Sequence, residues 1–120
     1  MSQSLAPILD ESFSLAKESL QIVGRMPKAL KFTLGTKISE KTLQLLSDVS
    51  AATVKQDRQK KTEYLNAIQF EAAQLLIFWR LAHQLKLVSD GLYPKILLHL
   101  TEIQNQASAL EHWAKKGQNV

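Results

Sequence analysis

Ile96, Leu100, Ile103, Ala107, Leu110 and Ala114 follow one another at steps of four and three residues. That rhythm returns to one face of an α-helix and cannot serve the alternating faces of a strand. Three other stretches carry it: Leu65, Ile68, Ala72, Leu75, Trp79 and Ala82; Leu34, Ile38, Thr42, Leu45, Val49 and Ala52, widened by Leu46; and Leu9, Phe13, Ala16, Leu20 and Val23. The spacing predicts helices over about residues 7–24, 27–54, 59–86 and 89–115. Only four glycines and three prolines are spread over 120 residues, too little turn material for an all-β chain. Hydrophobic residues make up 45%, enough for a core. Four helices with short connections predict an all-α, up-down-up-down antiparallel four-helix bundle, one domain over residues 1–120.

The punctuation agrees with this reading. Pro7 suits a first helical turn, where its missing N–H costs nothing, and Asp10 and Glu11 complement the helix dipole. Gly24 and Pro27 mark a stop. Gly35 lies inside the second helix, where it costs about 1 kcal/mol against alanine. The helix therefore bends there, restarts with Thr36 as cap, or is approached closely by another backbone. Ser89-Asp90-Gly91 is the clearest connector, Pro94 fits a first turn, and Gly117 closes the last helix after Lys115 and Lys116. The third helix differs from the others. Phe70, Ile77, Phe78, Leu81 and Leu85 widen its apolar face over most of its girth, which predicts a second buried side and hence a subunit interface.

Catalytic chemistry finds little to hold on to. There is no cysteine, so disulfides and thiolate metal sites are excluded. The apolar run Leu75 to Trp79 ends at Arg80, far short of the ~20 residues of a membrane span. Met1-Ser2-Gln3-Ser4 lacks the features of a signal peptide, and a soluble cytoplasmic protein is expected. His83, His99 and His112 form no His-Glu-x-x-His or Glu-x-x-His pattern. His83 and His99 could face each other across the third and fourth helices, but hydrogen-bonded histidines are the plainer expectation. The carboxylates fall on polar faces. No Gly-rich phosphate loop or Gly-x-Ser-x-Gly elbow is present. The chain is expected to be non-catalytic, with no cofactor, metal, membrane or small-molecule substrate.

Positive charge remains. The formal net charge is +4. Arg25, Lys28, Lys31, Lys37 and Lys41 surround the first connection, opposed by Glu40; Lys55, Arg58, Lys60 and Lys61 surround the second, opposed by Asp57. Such groups can contact phosphates, with salt-dependent binding as the signature, or can be solvated helix ends. Phe32 beside Lys31 offers a stacking surface, although an apolar residue near a helix start more often seals the core. Arg80 interrupts the most apolar part of the third helix beside Trp79. It must reach solvent, pair with a carboxylate or sit at a contact, and Trp with Arg is a common hot-spot pairing.

Three elements carry a family resemblance. Met26-Pro27-Lys28 through Phe32-Thr33-Leu34-Gly35, then Leu75-Leu76-Ile77-Phe78-Trp79-Arg80-Leu81-Ala82 continuing to Leu87, then Leu100 to Trp113 with Lys115, resemble one four-helix-bundle family in order and spacing over about residues 8–116. That family includes the accessory variability determinant, Avd, of diversity-generating retroelements and proteins encoded in intervening sequences of bacterial 23S ribosomal RNA genes. The resemblance implies a homopentameric barrel of bundles. For the Avd branch it implies an accessory role, binding a reverse transcriptase and the template RNA or cDNA during mutagenic reverse transcription. Leu76 stands where family members often have Arg, Ala107-Ser108 where they often have Gly-Arg, and Glu111-His112 where they have Gly-Gly. These departures keep open the ribosomal-RNA branch, an oligomeric interaction module.

Overall fold

The computed structural model describes residues 5–54 and 57–117. Residues 1–4, 55, 56 and 118–120 lie outside that description, among them Met1 to Ser4 and the candidate contact Lys55. Four long helices make up the molecule: α1 (Ala6–Gly24), α2 (residues 28–53), α3 (Arg58–Gln84) and α4 (Tyr93–Lys115), with no strand among the described residues. α1 packs against α2 and α4, and α3 packs against the same two helices. The result is an elongated four-helix bundle of 47 × 23 × 19 Å.

The stripes of α2, α3 and α4 are buried as their spacing predicts. Ile38, Leu45, Leu65, Ile68, Leu75, Trp79, Ile96, Leu100 and Ile103 are fully enclosed. Each such large side chain contributes roughly 1.5–3 kcal/mol of burial free energy. Ser19 Oγ, Thr42 Oγ1 and Trp79 Nε1 are also buried, with no hydrogen-bond partner among the described residues. Each such group costs about 1–3 kcal/mol.

The α1 stripe is different from the expected one. Ala16 and Val23 are buried as expected, but they are joined by Ile8, Ser12, Leu15, Ser19 and Ile22, while Phe13 is 53% exposed and Leu20 is also exposed. Two serines sit within the buried face. Ser12 Oγ donates to the Ile8 carbonyl at 2.8 Å, so a hydroxyl enters the core with its hydrogen bond made locally.

α2 neither breaks nor restarts at Gly35. It begins as an α-turn (Lys28–Leu30), continues as a π-helical segment (Lys31–Gly35) and runs on as α-helix (Thr36–Thr53). Thr36 does not cap a new helix; its hydroxyl donates to the Lys31 carbonyl five residues back, at 3.2 Å. Gly35 is buried, and a Cβ there would stand 2.9 Å from Val23 Cγ1. The glycine is therefore needed for the close approach of the end of α1.

α3 ends earlier, and α4 starts later, than the spacing predicts. The N–H of Lys86 donates to the His83 carbonyl and that of Leu87 to the Ala82 carbonyl, at 3.0 and 2.9 Å. This paired closure puts Lys86 in the left-handed region at φ 60°, where glycine is usual. Ser89 Oγ then accepts the Leu92 N–H at 3.0 Å, and Pro94 falls in the first turn of α4.

Candidate nucleic-acid interface

The basic residues separate into those that the fold consumes and those that it leaves free. Lys41 Nζ donates to Gln74 Oε1 at 2.8 Å and lies 5.9 Å from the centre of the Phe78 ring. Lys61 Nζ donates to the Ala52 carbonyl at 3.0 Å, closing the last turn of α2. Arg58 lies against the backbone of Gly117; a Cβ there would come within 3.2 Å of Nη2. Lys41 and Lys61 are held by bundle contacts, because long aliphatic stems can carry a cation to a helix end or a neighbouring amide, while Arg58 stays exposed beside Gly117.

Arg25, Lys28, Lys37, Lys60 and Arg80 are exposed, and Lys31 is half-buried. None of the six lies within ion-pair distance of a carboxylate among the described residues. Arg25 caps α1, and Lys28 and Lys31 occupy the first turns of α2. The start of α2 already carries positive partial charge, so Lys28 and Lys31 oppose its dipole, whereas Arg25 at the end of α1 complements the dipole of that helix. The placement of Lys28 and Lys31 favours an anion from outside more than it favours the fold.

Arg80 reaches solvent. Trp79, beside it in sequence, is wholly buried and points into the core, so the two do not form one surface hot spot. The neighbours of Arg80 on the outer face of α3 are apolar instead. Phe70 (64% exposed), Ile77 (69%), Leu81 and Leu85 form a stripe opposite the buried one. A second apolar surface lies between α1 and α2, a groove of about 490 Å³ lined by Leu9, Phe13, Leu43 and Leu46.

The histidines do not face each other. His83 Nε2 is 2.8 Å from Asp90 Oδ1, and its ring stacks on Tyr93 at 4.1 Å and 9°. His99 is clamped between two carboxylates of α1, with Nδ1 2.8 Å from Glu11 Oε1 and Nε2 2.9 Å from Glu18 Oε2. Among the described residues no three His, Asp or Glu side chains are grouped to hold a metal ion. No helix there is long and apolar enough to cross a membrane.

One carboxylate pair departs from the expected polar faces. Asp48 on α2 is buried, accepts from Gln44 Nε2 at 3.0 Å and meets Glu71 of α3. Burial, then a hydrogen bond to Asp48, then the Asp48 charge, push the Glu71 carboxyl up to about 8, against a smaller opposing pull from Lys41. Glu71 thus favours its protonated form at neutral pH. The two residues lie on different helices, and no local motif announces their meeting.

Comparison with known proteins finds no matching family model, no matching curated protein and no matching solved structure.

Proposed function

We propose that this chain is a non-catalytic accessory scaffold that binds nucleic acid and a reverse transcriptase, as the resemblance to the Avd branch implies. The observation that carries the reading is the set of unpaired cations: Arg25, Lys28, Lys37, Lys60 and Arg80 stand exposed with no carboxylate partner among the described residues. Exposed charges with no carboxylate partner are available to a polyanion.

Cross-helix contacts support the up-down-up-down antiparallel arrangement. Lys41 meets Gln74, Asp48 meets Glu71 and Ala52 meets Lys61, so ascending positions of α2 pair with descending positions of α3. Self-assembly rests on the two apolar surfaces. The stripe of α3 and the groove between α1 and α2 are different patches, and contacts between unlike patches form a ring where the rotation between neighbours closes. A ring of five is the number that the resemblance implies.

Light scattering on the full chain tests the assembly. The expected mass is several times 13.5 kDa, falling in Ile77→Glu with helix content retained, because Ile77 supports nothing inside its own bundle. A wild-type mass near 13.5 kDa contradicts the ring.

A further inference from the structure

Phe32 is 66% exposed. It stands two residues before Leu34, which is buried, and so lies about half a turn away from the core stripe. It therefore does not seal the core. An aromatic ring left in water at the first turns of a helix brings no stability to the bundle.

The surroundings of Phe32 are cationic and open. Lys28 lies one turn before it and Lys31 beside it, while Arg25 caps the preceding helix. The π-helical segment Lys31–Gly35 adds a residue to the turn, so that Lys37, five positions on, follows Phe32 along the same side. Ala29, Thr33 and Thr36, the nearest residues along the helix, are small and exposed and leave room at the ring. The Thr33 hydroxyl is turned back onto the Ala29 and Leu30 carbonyls at 3.0 and 3.3 Å.

A ring framed by cations matches a chain that repeats an anion and a flat base. We propose that Phe32 is a stacking platform for an unpaired base, with Lys28, Lys31 and Lys37 on the flanking phosphates, and that the site selects single-stranded over duplex nucleic acid. This deepens the nucleic-acid reading given above and rests on it. A duplex hides its base faces within the stack, so Phe32 has nothing to offer it, whereas the lysines serve either form. A protein partner fits less well. One aromatic side chain buries about 150–250 Å², against the roughly 1,200 Å² or more of a stable interface, and the helix on either side of Phe32 presents Lys28, Lys31 and Lys37 with small residues between them.

The test is fluorescence anisotropy with a labelled, unstructured RNA of about 20 nucleotides, longer than the span of one stacking site, and with a duplex of the same length. Wild type, Phe32→Ala and Phe32→Trp are titrated as full chains at several salt concentrations. Phe32→Ala is expected to weaken single-strand binding about 5- to 150-fold, the range for removing one base stack, with the salt slope and the duplex affinity unchanged. Phe32→Trp is expected to restore the affinity. Equal single-strand affinity in wild type and Phe32→Ala, or equal losses on single strand and duplex, overturns the platform while leaving the nucleic-acid reading in place. So does a lower assembly mass in Phe32→Ala, which would make the ring a contact between copies. Wild type that binds neither RNA at low salt overturns both.

Discussion

Replacing Glu71 with glutamine isolates one proton. In the folded chain the Glu71 carboxyl is pushed up from 4.5 to about 8, first by burial and then by Asp48. Below the unfolded value both states carry the proton and burial is cheap. As pH rises towards 8, the unfolded chain releases its proton while the folded chain keeps it, so stability falls across that window. At pH 7 the gap above 4.5 corresponds to an upper bound of about 3.4 kcal/mol at 1.36 kcal/mol per unit. The side chain is partly exposed, and solvent screening reduces this to about 1–2 kcal/mol. Glu71→Gln keeps the shape and a donor for Asp48 but has nothing to lose with pH. Denaturant unfolding of both proteins at one protein concentration, from pH 4.5 to 8.5, gives the difference directly, and titrating groups that do not interact with Glu71 cancel. The variant should match wild type near pH 4.5, gain steadily above it and level off past pH 8. A difference independent of pH, or one that shrinks as pH rises, would refute the raised Glu71 carboxyl.

Two further substitutions test the backbone. Gly35→Ala drives a methyl into Val23 and should cost about 1–2 kcal/mol net of its better helix propensity, with part of the loss recovered when Val23→Ala is added. Full additivity of the two changes in denaturant unfolding would show that the close approach is not what requires glycine. Lys86→Gly relieves the left-handed backbone at the end of α3 and should raise stability by about 1 kcal/mol, seen as a higher denaturation midpoint at unchanged slope. No gain, or a loss, would mean that Lys86 makes up the strain with its side chain.

Much of the fold is legible in the sequence because three stripes are nearly pure. The stripes from Leu65 to Ala82 and from Ile96 to Ala114 hold only apolar residues, and the buried face of α2 is interrupted only by Thr42 and Asp48. α1 misleads because two rhythms compete in it. Leu9, Phe13 and Leu20 look more apolar than Ile8, Ser12, Leu15, Ser19 and Ile22, and a residue count cannot register that Ser12 satisfies its hydroxyl on its own helix. The candidate site is legible as charge but not as availability. Lys41, Lys61 and Arg58 look like their neighbours in sequence, and only packing brings Gln74, the Ala52 carbonyl and Gly117 within their reach. Phe32 is the reverse case. Its offset from Leu34 already places it outside, and a generic preference for sealing helix starts outweighs that register in a reading by sequence.

The salt dependence of RNA binding by the full chain tests the nucleic-acid role most directly. Binding should be measurable at low salt, with the logarithm of affinity falling linearly against the logarithm of salt concentration. Replacing Arg25, Lys28 and Lys31 together by alanine should reduce that slope by about 2, some 0.7 for each single-strand phosphate no longer neutralised. Undetectable binding by wild type at low salt, or a slope unmoved by the triple substitution, would contradict that role.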